Sequence, residues 1–190
     1  MAKILVETSA RHIHVTEEAL EALFGKGATL TEKKRLSQPT EFVCDERVTV
    51  KGPKREIAGV SILGPCRAAV QVELSATDAR SVGVKIDIRE SGDVKGTPGC
   101  TLIGPAGELT IAEGVIVAKR HAHMTPKFAE ENGLNNGDII KLKIAGTGRA
   151  ALLDDVVVRV RDSFTEAAHI DTDESNTLNL PVGYLAEIVK

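Results

Sequence analysis

Near its start the chain carries the hexapeptide Arg11-His12-Ile13-His14-Val15-Thr16, and 109 positions later it carries a close copy, Arg120-His121-Ala122-His123-Met124-Thr125. The two copies hold four of the chain's five histidines. Successive side chains of an extended strand point to opposite faces, so both histidines of one His-x-His pair can reach the same ion. The duplication therefore predicts two similar halves that each carry part of a metal site.

Length and composition are those of a globular protein with two halves. The chain has 190 residues, of which 42% are hydrophobic and 27% are charged, close to typical usage. The repeat spacing favours two domains of moderate core size. They are predicted at residues 1–95 and 96–190, with the boundary in the glycine-rich stretch 90–99 and with the chain free to cross between the halves.

Charge and apolar patterning exclude several classes of partner. A formal net charge of −3 and an aromatic content of 3% leave little for nucleic-acid binding, which needs basic surfaces and stacking side chains. No apolar run approaches the roughly 20 residues of a membrane span, and no signal peptide is recognisable. Cys44, Cys66 and Cys100 are widely spaced and odd in number, as expected of reduced structural thiols. We therefore expect a cytoplasmic protein with no nucleic-acid or membrane partner.

Short runs of β-branched residues predict a mostly β fold. Many are bounded by Gly-Pro or Gly-Asp, and they include residues 4–6, 48–50, 60–63, 70–74, 115–117, 139–144 and 156–160. Gly52-Pro53 and Gly104-Pro105 mark two related hairpins. The pattern favours antiparallel β-barrels or sandwiches with short helices over a doubly wound sheet.

A side chain that can bind a metal ion lies two residues before the predicted N-cap of each of four short helices. The four tripeptides are His14-Val15-Thr16, Glu73-Leu74-Ser75, His123-Met124-Thr125 and His169-Ile170-Asp171. A strand that ends at such a cap delivers its last side chain to a strand-to-helix corner. The recurrence adds Glu73 and His169 to the two His-x-His pairs, which gives six candidate ligands: His12, His14, Glu73, His121, His123 and His169.

The six candidates divide into two sets of three. Each set is typical of catalytic zinc, which uses three histidines or two histidines and a carboxylate and keeps one position open. The residues thus predict two Zn²⁺ ions per chain in a binuclear centre between the halves, with Glu73 able to bridge. The predicted sets are His12, His14 and Glu73 for one ion and His121, His123 and His169 for the other.

Three arginines border the candidate ligands. Arg11 and Arg120 directly precede the pairs and therefore point to the opposite strand face, where pairing with a carboxylate or strand packing is expected. Arg67 lies in a turn that enters the strand of Glu73, six positions before it, which places both on one face if no bulge intervenes. Its guanidinium either grips an oxyanion bidentately or is a surface group.

Several ordered motifs extend over nearly the whole chain, from about Val6 to about Asn176. They are Ser9-Ala10-Arg11-His12-Ile13-His14, Leu36-Ser37-Gln38-Pro39, Gly64-Pro65 through Arg67 to Val72-Glu73, Ser91-Gly92-Asp93, Arg120-His121-Ala122-His123-Met124 and His169-Ile170-Asp171-Thr172-Asp173-Glu174. Together they closely resemble the PduL family of phosphate acyltransferases, the phosphate propanoyltransferase type.

The resemblance implies two β-barrel domains with a dinuclear zinc site at their interface, and acyl transfer between coenzyme A and phosphate. The expected substrates are phosphate and a short-chain acyl-CoA, either propanoyl-CoA or acetyl-CoA, and the products are acyl phosphate and coenzyme A. The family's metal ligands fall on the six candidates above, and its phosphate-binding arginine falls on Arg67 as the catalytic residue. Direct transfer is preferred, with Cys66 and Cys100 as alternative acyl carriers.

Other expectations stay open at this stage. Family members sent into bacterial microcompartments often carry an N-terminal amphipathic extension, whereas the first strand begins by Ile4 here and no such extension is seen. Shell association and a place in the microcompartment lumen stay open alternatives to a cytoplasmic location. A homodimer is compatible with a β-surface. Two alternatives would use the same ligands: a binuclear zinc hydrolase of thioesters or other substrates, and a non-catalytic zinc-binding double barrel.

Overall fold

The computed structural model describes residues 2–190, which form two compact units. The barrel unit contains residues 2–9, 37–39 and 119–190, and the sheet unit contains residues 10–36 and 40–118. Residues 2–9 therefore belong with the second half of the chain and residues 96–118 with the first. This division differs from the contiguous segments that the sequence suggests, because strand pairing and not chain order defines each unit.

Strands dominate the described residues. In chain order they are β1 (Lys3–Ser9), β2 (His12–His14), β3 (Glu32–Arg35), β4 (Phe42–Lys51), β5 (Glu56–Gly64), β6 (Gln71–Glu73), β7 (Ile88–Arg89), β8 (Cys100–Ile103), β9 (Glu108–Ile111), β10 (Val115–Ala118), β11 (His121–Met124), β12 (Ile139–Ile144), β13 (Ala151–Val160), β14 (Ala167–Asp171) and β15 (Leu185–Val189). The helices are α1 (Glu17–Phe24), α2 (Ala76–Val82), α3 (Pro126–Glu131) and α4 (Thr172–Leu178). The predicted mostly β class with short helices is confirmed.

The barrel unit contains a closed barrel whose strands follow the order β1, β14, β11, β13, β12 and β15. β1 pairs in parallel with β14, where Leu5 lies opposite Ala167. On its other edge β1 pairs antiparallel with β15, where Lys3 lies opposite Glu187. The first strand of the chain thus completes a barrel formed by strands from the second half.

The sheet unit contains an open sheet, or half-barrel, in the order β7, β10, β6, β2, β5, β4, β8 and β9, with β3 paired to β4. The expectation of antiparallel pairing is wrong in part. β2 runs parallel to β5, and β10 runs parallel to both β6 and β7. In the barrel, β11 runs parallel to β13. Parallel partners are joined by long connections, so local sequence patterns do not reveal them.

Local capping signals place the four helices where the sequence predicts them. Each N-cap side chain accepts a hydrogen bond from the amide three residues on: Thr16 from Ala19, Ser75 from Asp78, Thr125 from Phe128 and Asp171 from Glu174. Such bonds satisfy amides that a helix start leaves without partners. Of the helices formed by residues 2–190, none has the length and apolar character that a membrane span requires.

The two Gly-Pro hairpins make matched contacts within the sheet unit. The Gly52 turn joins β4 to β5, and the Gly104 turn joins β8 to β9. A Cβ on Gly52 would lie 2.4 Å from the Val82 oxygen at the end of α2, and a Cβ on Gly104 would lie 2.3 Å from the Leu23 oxygen of α1. Both positions therefore require glycine so that the turn can pack against a helix end.

Each unit has its own apolar core, to which a histidine strand contributes its central residue. Ile13 of β2 packs in the core of the sheet unit, and Ala122 of β11 packs in the core of the barrel unit; both are 0% exposed. Strand alternation then turns the two histidines of each pair toward the other face. The apolar residue between the histidines thus anchors the strand and orients the pair.

Candidate functional site

The first triad lies in the sheet unit and consists of His12, His14 and Glu73. The histidines occupy β2, and Glu73 ends β6. The two strands pair antiparallel with His12 directly opposite Glu73. Each side chain offers one ligand atom, these atoms lie within 4.8 Å of one another, and all three residues are buried. The predicted set is therefore assembled in space.

The second triad lies in the barrel unit and consists of His121, His123 and His169. His121 and His123 occupy β11 and His169 lies in β14, and His121 is directly opposite His169 in an antiparallel pair. The three ligand atoms again lie within 4.8 Å of one another. All five histidines of the chain therefore belong to the two triads.

The same arrangement of strands and helices builds both triads. A His-x-His strand has an antiparallel neighbour that carries the third candidate ligand, and a parallel neighbour on its other edge, β5 or β13. Arg11 donates to both carboxylate oxygens of Asp78, at 2.7 and 2.8 Å. Arg120 donates through Nε to one carboxylate oxygen of Glu174, Oε1. The predicted carboxylate pairing of both arginines is confirmed, and each pair ties the histidine strand to the helix that follows the third ligand.

Backbone carbonyls fix the ring of the first histidine in each pair. Nδ1 of His12 lies 2.9 Å from the Ala10 oxygen, and Nδ1 of His121 lies 2.9 Å from the Lys119 oxygen. A carbonyl only accepts, so Nδ1 must be the donor and Nε2 of the neutral ring carries the lone pair. In the second histidines, His14 and His123, Nδ1 is buried and has no hydrogen-bond partner among residues 2–190.

Burial keeps the second histidine of each pair neutral. It lowers the pKa of His14 to about 3, and the nearby His12 and Arg67 charges act in the same direction. Burial likewise lowers the pKa of His123 to about 2, together with its histidine neighbours. Burial is the largest single influence on His12 and lowers its pKa, but the Glu73 carboxylate, 3.5 Å from its Nε2, acts together with the Ala10 carbonyl and Glu41, and the net effect raises the pKa. Neutral imidazoles are the form that binds metal.

A hydrogen-bond network holds the carboxylate of Glu73. Gln71 Nε2 donates to Glu73 Oε1 at 2.7 Å, and the Ser91 hydroxyl donates to the same oxygen at 3.0 Å. The Gly92 amide in turn donates to Gln71 Oε1 at 2.6 Å. Gln71 is 2% exposed. Two donors, the buried Gln71 and the half-buried Ser91, therefore orient the Glu73 carboxylate without the help of a metal ion.

Arg67 lies beside this network, but not in the way that the sequence suggests. The strand of Glu73 begins only at Gln71, so Arg67 belongs to the preceding loop and the same-face argument is wrong. Its Nη2 donates to Glu41 Oε1 at 2.6 Å, and its Nη1 lies 3.5 Å from Ser91 Oγ. Ser91 thus links the guanidinium to the carboxylate of the first triad.

The family profile described as phosphate propanoyltransferase matches residues 5–181. This chain belongs to that family. Phosphate propanoyltransferases are acyltransferases, and so is this protein. The resemblance seen in the sequence motifs is therefore confirmed.

Named members of the phosphate propanoyltransferase family are similar in sequence to this chain over almost its full length. The enzyme of Thermotoga maritima is 48% identical over 187 residues, which cover 98% of this chain and 89% of the relative. The enzyme of Leptotrichia buccalis is 50% identical over 186 residues, which cover 98% and 88%. The enzyme of Enterococcus faecalis is 48% identical over 185 residues, which cover 97% and 87%.

The second triad of this phosphate propanoyltransferase family member has aromatic neighbours in place of an amide network. The His123 ring stacks on Phe164 with centroids 4.0 Å apart and planes 18° apart. His121 and His169 stack at 5.1 Å. Glu7 Oε2 lies 3.8 Å from His169 Nδ1 and accepts a hydrogen bond from Ser37 at 2.5 Å. Stacking and one carboxylate thus support the ring orientations here.

Five residues that contact the two triads or Arg67 are absent from the sequence prediction: Glu7, Glu41, Gln71, Ser91 and Phe164. Gln71 had a usable signal, since it lies two positions before Glu73 on one strand and therefore shares its face. Ser91 belongs to one of the motifs that carry the family resemblance. Glu41 and Phe164 come from loops, where no periodicity predicts direction, and Glu7 requires knowledge of the parallel β1–β14 pair.

Proposed function

We propose that this acyltransferase interconverts a short-chain acyl-CoA and phosphate with acyl phosphate and coenzyme A. The proposal is carried by the two triads, which the same strand arrangement builds twice within a member of the phosphate propanoyltransferase family. The names of the relatives supply the reaction class and the propanoyl group. The substrates proposed for this chain are propanoyl-CoA or acetyl-CoA, with phosphate.

Each triad is proposed to hold one Zn²⁺ ion, because the residues fit that metal. Two imidazoles with a carboxylate, and three imidazoles, are ligand sets of catalytic zinc. The buried Nδ1 atoms of His14 and His123, without partners among residues 2–190, would otherwise carry the cost of unsatisfied polar groups. When bound, the ions would supply positive charge and Lewis acidity. The dinuclear arrangement of the two ions stays a prediction, which magnetic coupling between substituted Co²⁺ ions would test.

Arg67 is proposed to bind the phosphate substrate. A planar guanidinium can form two parallel hydrogen bonds to a phosphate. The backbone amide of Arg67 donates to the Val15 oxygen at 2.8 Å, which holds the loop next to the end of β2. The side chain is about one third exposed, so a small anion can reach it from solvent.

Transfer is proposed to be direct, without an acyl-cysteine. Burial raises the pKa of Cys100 to about 12. Burial and the charges of Glu17 and Glu18 raise the pKa of Cys66. A protonated thiol is a poor nucleophile. In the direct reaction a phosphate oxygen attacks the thioester carbonyl carbon, the carbon–sulfur bond breaks, and the electron pair leaves on the coenzyme A thiolate.

Thiol release from acetyl-CoA and propanoyl-CoA, with and without phosphate, tests the proposal on protein of measured zinc content. We expect release that requires phosphate, together with acyl phosphate trapped as a hydroxamate by hydroxylamine. Rapid release without phosphate and without acyl phosphate would indicate a zinc hydrolase instead. No turnover by zinc-loaded protein would support the non-catalytic double barrel.

Assembly and location stay predictions. A homodimer would appear as a mass of two chains in light scattering after gel filtration. Association with a microcompartment shell would appear as co-sedimentation with purified compartments, and its absence would support the cytoplasmic expectation.

A further inference from the structure

Glu41 forms an ion pair with Arg67, the arginine that is proposed to bind phosphate. Glu41 Oε1 accepts from Arg67 Nη2 at 2.6 Å, and the side chains are 28% and 33% exposed. Glu41 directly precedes β4, and its backbone oxygen accepts from the Leu36 amide at 3.1 Å. Both members of the ion pair are therefore held through their backbones, while solvent and small ions can reach their charged ends.

The position of Glu41 disfavours any anion that approaches the Nη2 edge of Arg67. A like charge at hydrogen-bond distance raises the free energy of the bound anion. The second carboxylate oxygen, Oε2, makes no hydrogen bond to residues 2–190. An ionised carboxylate only accepts hydrogen bonds. An anion that shares this edge is therefore favoured only if it brings a proton to donate.

Tetrahedral anions differ in this respect at neutral pH. Monohydrogen phosphate carries one hydroxyl proton and can donate it to a carboxylate oxygen. Sulfate has the same charge, shape and approximate size, but it has no proton, so it would meet Glu41 with repulsion alone. A site built to hydrogen-bond a substrate hydroxyl rejects an analogue that lacks it far more strongly than shape alone permits.

We propose that Glu41 is a specificity residue that selects protonated phosphate against sulfate at Arg67. The proposal rests on the proposed function, because it takes Arg67 as the phosphate-binding group. The other amino nitrogen of Arg67 lies 3.5 Å from Ser91 Oγ, whose proton is donated to Glu73, and a guanidinium N–H can donate to either anion. Glu41 is therefore the group that distinguishes phosphate from sulfate.

The test compares the wild-type protein with Glu41→Gln and Glu41→Ala. Initial rates of acyl transfer are measured against phosphate at constant ionic strength, with sulfate as competitor, to give the ratio of the sulfate inhibition constant to the phosphate KM. We expect this ratio to fall at least about tenfold in both variants. Glu56→Gln, which removes the same charge from the exposed start of β5, is the matched control and should keep the wild-type ratio.

Isothermal titration with phosphate and with sulfate gives the same comparison without turnover. Tighter sulfate binding by the Glu41 variants than by wild type is the expected result. An unchanged ratio in both Glu41 variants, or an equal change in Glu56→Gln, would overturn the assignment of Glu41 while acyl transfer itself persists. Loss of phosphate dependence in the wild type would instead overturn the proposed function. An unaltered phosphate KM in Arg67→Ala would overturn the phosphate-binding role of Arg67 and with it the assignment of Glu41.

Discussion

The two triads have the same backbone arrangement and different surroundings. The residue opposite His14 on the neighbouring strand is Gln71, which donates to Glu73, whereas the residue opposite His123 is Ala167. A backbone carbonyl fixes the first histidine in both triads. The first triad is otherwise held by side-chain hydrogen bonds, and the second by Glu7 and by stacking of its rings on one another and on Phe164. Strand register alone brings the three ligand atoms together, and the side chains nearby decide how firmly each one is oriented.

The carboxylates also differ in position between the triads. In the first, the carboxylate of Glu73 is itself a candidate ligand, and its parallel neighbour on the next strand is Ile116. In the second, the candidate ligand is His169 and the parallel neighbour is Glu7. A divalent ion would meet one negative charge directly in the first triad and only neutral imidazoles in the second.

Removing one ligand from either triad should have the largest effect. His14→Ala and His123→Ala are each expected to reduce bound zinc from two ions to one per chain, because each triad supplies its own ligand set. Turnover should fall by more than the roughly 10–100-fold typical of losing an outer-shell partner. Elemental analysis and thiol release check both points. Two zinc ions retained by either variant would contradict the assignment of that histidine.

The substitution Arg67→Ala tests whether the loop next to the first triad binds phosphate. Loss of hydrogen bonds to a charged group corresponds to about 1.5–3 kcal/mol, so the phosphate KM should rise roughly 10–100-fold. Bound zinc should stay at two ions per chain, because Arg67 is not a proposed ligand. Arg80→Ala, which removes an exposed arginine from α2, serves as the control. A parallel loss of zinc would show that Arg67 supports the triad and not the substrate.

The contrast between hydrogen bonding and stacking predicts a smaller, site-specific effect. Gln71→Leu should weaken zinc binding by the first triad about tenfold, since outer-shell partners contribute on that scale. Phe164→Leu should weaken only the second triad, through loss of the stacked contact with His123. Competition with a zinc chelator resolves two affinities per chain. If each variant loosened both ions equally, the two triads would not be independent.

The smallest effect is expected at the cysteines. Burial raises the pKa of Cys44 to about 11 and that of Cys100 to about 12, while Cys66 is only partly buried. Brief alkylation of the native protein, followed by intact mass analysis, should therefore modify Cys66 first. Cys66→Ser should leave acyl transfer nearly unchanged. Abolished transfer in that variant, with zinc retained, would revive the acyl-cysteine alternative.

Features set by neighbouring residues were predictable from the sequence. Helix α1 begins directly after Thr16, the N-cap that the sequence predicts, and strand β12 spans Ile139–Ile144 as its β-branched run predicts. The candidate ligands were predictable because they belong to a repeated His-x-His pair or to a tripeptide that recurs at four helix caps. Each of these features depends only on residues that are close in sequence, within one helical turn or one strand, so it can be recognised before the fold is known.

Features that depend on distant pairing were not predictable. The parallel β1–β14 pair brings Glu7 next to His169, and nothing local to Glu7 indicates it. Arg67 was expected on the same face as Glu73 because their spacing is even, but β6 begins only at Gln71 and strand alternation does not extend back to Arg67. Glu41 and Phe164 are directed by loop conformation, which depends on tertiary packing more than on sequence periodicity.

The pairing of β1 also affects how the protein folds. β1 is synthesised before β14 and β15, yet it pairs with them in the finished barrel. Long-range pairing of this kind slows folding, because the entropy of closing a long loop must be overcome first. The sheet unit can form while β1 still has an open edge, and an open apolar strand edge is prone to aggregation. Moving β1 to follow β15 by circular permutation should therefore speed barrel closure and improve refolding yield.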